Sequence, residues 1–165
     1  SGSISMNQLK CPAHKGVFYP LQTFSKNQKM EYKTIPFCLE TEFSKDMNLL
    51  KTLAESISKN VYEINSQQRE KLHIAAVFAN NFSNHMFKIS KDICDEHQIS
   101  FDLLKPLILS TANKLDFMDP AEAQTGPAKR NDQKIILKHL EQLHSDQKEI
   151  YSIISKSIIK TYQKD

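Results

Sequence analysis

The amino-acid sequence predicts an α+β fold in which a small, incomplete α/β sheet is followed by an all-helical part. Two observations predict it: runs of β-prone residues occur only before residue 65, and helical periodicity dominates after it. The chain has 165 residues, of which 39% are hydrophobic and 25% are charged, so it is long enough to bury a core. We therefore expect two domains, residues 1–65 and residues 66–165.

The first domain is expected to hold about three strands and one helix. Short runs rich in β-branched and aromatic residues predict strands at 17–21, 35–39 and 61–64. Ser44 is a candidate N-cap, and apolar residues at helical spacing after it predict a helix over 44–59. The order strand, strand, helix, strand is typical of part of a doubly wound sheet, and a complete sheet would need more strands.

The second domain is expected to be helical throughout. Asn65 and Gln68 form a start resembling a capping box, and the apolar pattern after them predicts one long helix that ends near His97. Asp119 followed by Pro120 predicts a short helical turn. Another helix is predicted to begin after Ser100, with Pro106 in its first turns. Two more helices are predicted over roughly 131–143 and 145–163.

Composition excludes several classes of function. The net charge of +3 is spread along the chain, and only two residues are arginines, so nothing favours a nucleic-acid partner. No apolar run approaches the roughly 20 residues of a membrane-spanning helix, and no secretory signal opens the chain. The three cysteines are far apart, which predicts neither a disulfide framework nor a metal site. We expect a cytoplasmic protein without a metal.

The scarcity of glycine bears on nucleotide binding. A dinucleotide-binding turn needs the pattern GxGxxG, and a P-loop needs GxxxxGK followed by Ser or Thr. The chain has three glycines, Gly2, Gly16 and Gly126, which form neither pattern.

The first candidate site lies on the predicted long helix. Residues 72–82 are apolar almost all round, which predicts a helix buried on most sides. At 100° per residue, His73, Asn80 and Asn84 fall on one polar line, with Asn81 beside it. Such a line either ties helices together in the core or faces a cleft, where His73 would transfer a proton and the amides would orient a substrate.

The second candidate site is the loop that begins at Thr125. Gly126 and Pro127 make it stiff, so that Thr125 and Arg130 could be presented to an anion, but an ordinary connection between helices explains the same residues. Thr111 lies on an apolar helix face, where a threonine usually bonds back to its own helix.

These motifs resemble a known family. The segments are LHIAAVFANNF at 72–82, PLI at 106–108 leading to Thr111, and TGPAKRND at 125–132. Together, residues 72–143 resemble the C-terminal helical domain of unknown function of Rossmann-like, short-subunit dehydrogenase-like oxidoreductases. Those proteins are similar to pyrroline-5-carboxylate reductase and belong to the wider 6-phosphogluconate dehydrogenase-like group. Residues 1–3 and 16–24 resemble the last third of the Rossmann domain, which implies that the first part of that domain, with its glycine-rich turn, is absent from this sequence.

The resemblance implies an oxidoreductase that uses NADP or NAD in the intact protein and acts on a small carbonyl, imine or hydroxy acid. It implies that this portion alone binds no cofactor and is inactive. The more distantly similar 3-hydroxyacid dehydrogenases use a lysine and an asparagine, but Val77 and Phe78 stand where that lysine is expected. His73, one turn earlier, is therefore the expected general acid or base.

The resemblance also implies roles for other residues. Asn80, Asn81 and Gln22 would contact the substrate, and Ser3 would lie next to the nicotinamide. Thr111, Thr125 and Arg130 would close the cleft or reach it from the partner subunit of a homodimer. The alternative is an inactive helical module that serves for dimerisation or binding.

Overall fold

The computed structural model describes residues 2–26 and 29–163. Packing divides the chain into two compact units, Ser1–His85 and Met86–Asp165. The first unit contains the sheet and the start of a long helix, and the second is helical in its described residues. The chain is thus α+β with a three-stranded sheet, as the sequence predicts.

The sheet has the strand order β1 (Gly16–Pro20), β2 (Phe37–Thr41), β3 (Val61–Glu63). Strand β1 pairs antiparallel with β2, and β3 pairs parallel with β2. Helix α1 (Ser44–Glu55) forms the crossover between the two parallel strands. Each strand overlaps the run of residues that predicted it.

The core of the first unit surrounds the central strand. Ile35, Phe37, Leu39 and Ala54 of α1 form a buried cluster against which neighbouring apolar side chains pack. Cys38, between two members of that cluster, is buried as well. Three consecutive buried residues are expected of a central strand that is covered on both faces.

The ends of α1 differ from the prediction. Phe43 is the N-cap, and Ser44 is the first helical residue and not the cap. The helix ends at Glu55, because the chain then turns back toward the sheet. There the buried Ser58 donates its hydroxyl proton to the carbonyl oxygen of Ile35 at 2.6 Å.

A long interrupted helix follows β3. Helix α2 (Ser66–Ala76) begins at the predicted capping box: Gln68 N donates to Asn65 Oδ1, and Asn65 N donates to Gln68 Oε1, both at 2.9 Å. A π-helical segment, Val77–Phe82, joins it to α3 (Ser83–Glu96). The expectation that this helix is buried on most sides is wrong, because Ile74 and Phe78 are 51% and 66% exposed.

The remaining helices agree with the sequence analysis in order and approximate extent. Asp119 caps α5 through its side chain, which accepts from Ala121 N at 2.8 Å, and Asp132 caps α6. None of the helices in the described part of the chain is long and apolar enough to span a bilayer. The helices are α4 (Lys105–Asn113), α5 (Pro120–Ala123), α6 (Gln133–Glu141) and α7 (Ser145–Tyr162).

The predicted domains, 1–65 and 66–165, follow the change in composition, whereas the compact units meet at residue 85. The long helix crosses both positions. The domain bounds remain predictions.

Candidate functional site

A cleft of about 510 Å³ lies in the first unit. It is lined by the end of β1 with the loop that follows it, and by the part of the long helix from Leu72 to Asn81. The polar lining residues are Tyr19, Gln22, Thr23, His73, Asn80 and Asn81. The apolar ones are Leu21, Leu72, Ala75, Ala76, Val77 and Ala79.

The imidazole of His73 is held against the N-terminal segment. Its Nδ1 atom is buried and has no hydrogen-bond partner among the described residues. The Gly2 backbone covers it: a methyl group on Gly2 would lie 2.6 Å from His73 Nδ1 and 2.8 Å from the Tyr19 hydroxyl oxygen. Both distances are too short for a carbon atom, so this position accepts no side chain unless the imidazole or the phenol moves.

A buried ion pair fixes that N-terminal segment. Arg69, one turn before His73, is 0% exposed and pairs with the carboxylate of Glu40 on β2. Its Nη2 donates to the carbonyl oxygen of Ile4 at 2.7 Å, and Met6 N donates to Ser66 Oγ at 3.1 Å. The Ser66 hydroxyl also contacts Glu40. Residues 4–6 are therefore attached to the start of α2, which places Gly2 over His73.

The π-helical segment brings two consecutive asparagines to the cleft. In a π-helix each N–H bonds five residues back, so the turn is wider than in an α-helix, and such turns are frequent at functional sites. Asn80 and Asn81 both line the cleft. Asn84, predicted on the same line as His73, is exposed and does not line it, because the inserted residue rotates the rest of the helix. The Ser83 hydroxyl donates to the Phe78 carbonyl oxygen at 3.3 Å within this irregular turn.

The opposite wall supplies hydrogen-bond donors. The side-chain carbonyl of Gln22 accepts from Thr23 N at 2.8 Å, which leaves the amide NH2 group to donate. Burial raises the pKa of the Tyr19 hydroxyl above its ordinary value of 10.0; the Cys38 thiol adds to the increase, and the Arg69 guanidinium opposes it. The hydroxyl is therefore protonated at neutral pH. Sequence reasoning missed Tyr19, although its place at the end of a predicted strand could have drawn attention to it.

The other predicted site residues lie elsewhere. Ser3 is exposed and follows Gly2. Thr111, Thr125 and Arg130 belong to the second unit and are exposed. Thr111 donates its hydroxyl proton to the Leu107 carbonyl oxygen at 2.9 Å, the bond expected of a threonine within a helix. The roles assigned to these four residues stay predictions.

Charge and backbone decide which groups the cleft fits. Of the described residues that line it, none is a lysine, arginine, aspartate or glutamate. The 165 residues also contain no glycine-rich turn that could approach a pyrophosphate. The residues present therefore do not fit the phosphates of a dinucleotide. They fit a small ligand that accepts hydrogen bonds, with an imidazole placed to move a proton.

The described residues contain no group of three or more histidine, cysteine or acidic side chains that could hold a metal ion. The polar groups that line the cleft include an imidazole, a phenol and amides.

The short sheet, the interrupted helix and the helical second unit are consistent with part of a Rossmann-like oxidoreductase fold. The chain belongs to the family called domain of unknown function DUF2520, whose model matches residues 35–158. The predicted resemblance to a Rossmann-like oxidoreductase is confirmed, whereas the likeness to pyrroline-5-carboxylate reductase and the 6-phosphogluconate dehydrogenase-like group stays a prediction. No curated protein matches the sequence.

The solved structures that resemble the chain include two crystal structures. One is that of "putative NADP oxidoreductase BF3122 from Bacteroides fragilis", with a TM-score of 0.92 and 42% identity. The match covers 97% of this chain and 63% of that one, so this chain spans less than two thirds of the neighbour's length. The other is protein TM1727 from Thermotoga maritima, with a TM-score of 0.78, 23% identity and coverage of 99% and 68%. At that identity the second match shows the fold alone.

Proposed function

We propose that this chain is the C-terminal, substrate-binding portion of a cytoplasmic oxidoreductase that uses NADP or NAD. The substrate is a small carbonyl, imine or hydroxy acid. The observation that carries the proposal is the imidazole of His73 in the wall of a cleft that Asn80 and Asn81 also line. The 42% identity to the Bacteroides fragilis protein described as a "putative NADP oxidoreductase" supports it.

His73 is the general acid or base of this proposal. Imidazole is the side chain that exchanges protons near neutral pH, and no other described residue lining the cleft does so. It would give a proton to the substrate oxygen or nitrogen during reduction and take it back during oxidation. The amides of Asn80 and Asn81 would orient the substrate, and the alanine wall would exclude water from the reacting group.

The nicotinamide cofactor is assigned to the remainder of the enzyme. The covered 63% of the Bacteroides fragilis neighbour leaves more than a third of that protein outside the match. A glycine-rich turn in that remainder would bind the pyrophosphate, which the residues of this chain do not fit.

The first experiment uses the protein expressed from its native open reading frame. Its intact mass is measured, and the same sample is titrated with NADPH. A product heavier by roughly 100 residues, the size of a nucleotide-binding domain, that binds NADPH would support the proposal. A native product that starts at Ser1 and has no affinity for NADPH would refute it.

A pair of matched substitutions tests the role of His73 in that full-length protein. His73→Gln should lower the turnover number roughly 10²–10⁴-fold, the range for loss of a general acid or base, with a smaller effect on stability. His85→Gln makes the same change at an exposed position of the same long helix, outside the cleft, and should leave turnover unchanged. If His73→Gln instead unfolds the protein while the activity per folded molecule is unaltered, the histidine is structural.

A second candidate function is dimerisation through the helical unit, with or without catalysis. Four residues around α4 support it because they are apolar and largely exposed: Leu103 at 72%, Leu107 at 64%, Leu109 at 62% and Phe117 at 75%. Exposed apolar surface of this kind marks protein interfaces. In this proposal the partner is a second copy of the chain.

Sedimentation velocity tests the dimer. Leu107→Asp should convert a dimer into a monomer, whereas Leu49→Asp, at a 72% exposed position of α1, should not. A wild-type chain that sediments as a monomer at all accessible concentrations would refute this candidate.

A further inference from the structure

We propose that Tyr19 is a further ligand-binding residue of the cleft, and that its hydroxyl and the His73 imidazole together hold the acceptor atom of an uncharged carbonyl or imine compound. This inference rests on the proposed function and deepens it. It names a substrate class, neutral as opposed to carboxylate-bearing, and a residue that neither the family nor the neighbours assign.

The geometry of Gly2 places the two groups side by side. The Tyr19 hydroxyl oxygen and His73 Nδ1 lie 2.8 Å and 2.6 Å from one point beside the Gly2 backbone. The two groups are therefore neighbours, and both residues line the cleft. Because the Gly2 backbone covers His73 Nδ1, a ligand in the cleft meets the imidazole at its other nitrogen, Nε2, beside the Tyr19 hydroxyl.

The hydrogen-bonding character of the cleft favours an acceptor on the ligand. The Tyr19 phenol is protonated at neutral pH, and Gln22 has committed its carbonyl to Thr23 N and keeps its NH2 group to donate. The amide of Asn80 can donate to the same group. A carbonyl oxygen or an imine nitrogen is the group that such donors polarise.

The charge of the cleft disfavours a carboxylate. A carboxylate that leaves water costs several kcal/mol unless it meets a cation with good geometry. The nearest buried cation, Arg69, is engaged with the Glu40 carboxylate, the Ile4 carbonyl and the Ser66 hydroxyl. It has no room for a second anion, because it is 0% exposed.

The alanines of the helix wall let a ligand approach the helix backbone closely. Ala75, Ala76 and Ala79 present only methyl groups to the cleft. A compact ligand can therefore lie against the helix backbone, with its acceptor atom toward Tyr19 and His73.

Binding of two isosteric compounds tests the proposal without cofactor or catalysis. The full-length protein is titrated with pyruvamide and with pyruvate, which have the same keto group and differ in net charge. The imidazole signals of His73, assigned by their absence in His73→Gln, report binding in the NMR spectrum. We expect pyruvamide to shift these signals and to bind more tightly than pyruvate.

Two tyrosine variants distinguish the effect of the lost Tyr19 hydroxyl on binding from an effect on the fold. Tyr19→Phe should weaken pyruvamide binding about 3- to 10-fold, the effect of one lost hydrogen bond. Tyr62→Phe removes a hydroxyl from a 53% exposed position of β3 and should leave binding unchanged. Retained strand amide signals in Tyr19→Phe show that the sheet is intact.

Three results would overturn the proposal: pyruvate binding as tightly as pyruvamide, Tyr19→Phe binding like the wild type, or no binding of either compound within its solubility. None of these depends on NADPH. A full-length protein that binds pyruvamide through Tyr19 but has no affinity for NADPH would refute the proposed function alone. One that binds NADPH but shows any of the three results would refute this inference alone.

Discussion

Replacement of Arg69 by methionine should destabilise the first unit far more than the loss of any surface charge. Arg69 is 0% exposed, and its partner carboxylate on Glu40 is only 14% exposed. Arg69→Met keeps most of the apolar stem but leaves that carboxylate without its cation. It also removes the donor to the Ile4 carbonyl oxygen.

The size of the expected destabilisation follows from the burial of the ion pair between Arg69 and Glu40. Breaking a buried ion pair by removing one partner costs about 3–5 kcal/mol, because an uncompensated charge remains in a poorly hydrated place. Exposed pairs contribute roughly 0.2–1 kcal/mol. Lys51→Met is the matched control in the same unit, since it breaks an ion pair with Glu63 in which the two side chains are 41% and 49% exposed.

Hydrogen exchange followed by mass spectrometry measures the loss of stability within the first unit, which contains the ion pair. Peptides from β2 and α2 should lose protection by about 3–5 kcal/mol in Arg69→Met and by less than about 1 kcal/mol in Lys51→Met. The double variant Glu40→Gln with Arg69→Met should recover part of the loss, because no unpaired charge then remains. Equal, small losses in the two single variants would refute the reasoning.

Three further predictions concern the rest of the chain. Asn65→Ala removes the side chain that caps α2 and should lower the free energy of unfolding by about 1 kcal/mol, measured by urea denaturation. At neutral pH a thiol reagent should modify Cys11 alone in the folded protein and all three cysteines in denaturant. The reason is that Cys38 and Cys94 are buried, and burial also raises the pKa of Cys38. Rapid reaction of a second thiol in the folded protein would contradict this prediction. The hydrogen bond with His144 lowers the pKa of Glu96 below its ordinary 4.5, so its stabilisation is present above that pH and is lost as pH falls through the lowered value. The difference in melting temperature between wild type and Glu96→Gln should therefore shrink in acid, and a difference that stays constant would contradict the assignment.

Elements whose signals are local were predictable from the sequence. The capping box of Asn65 and Gln68 and the cap of Asp119 before Pro120 are decided within four residues, and both are present. The strands were predictable because their β-prone runs are short and bounded by turn residues. N-cap preference favours Ser44 over Phe43, but the helix begins one residue earlier than that preference indicates, because sequence locates a helix end only to within about one or two residues.

The site was only partly predictable because it depends on departures from regular structure. His73 and Asn80 could be placed on one face by assuming 100° per residue, and both line the cleft. The error of that assumption accumulates through the π-helical turn that begins at Val77, so it is small at Asn80 and misplaces Asn84. No residue preference distinguishes a π-turn from an α-helical one over these six residues.

The contacts of the N-terminal segment could not be predicted from the sequence for a different reason. Gly2 and His73 are separated by 71 positions, and they meet because Arg69 binds the carbonyl of Ile4 inside the unit. A buried arginine has the same sequence signature as a solvated one, because its burial depends on partners from distant segments.

This arrangement couples the geometry of the cleft to the stability of the first unit. The ion pair of Arg69 and Glu40 holds residues 4–6, and these hold Gly2 over the imidazole, so a variant that weakens the pair exposes His73 Nδ1 without touching a ligand. Loss of binding in Arg69→Met therefore says nothing about recognition. Loss of binding in Tyr19→Phe does, because that change removes one oxygen atom and leaves the ion pair and the glycine in place. The two variants must be compared at equal folded fraction before any residue of this cleft is given a catalytic role.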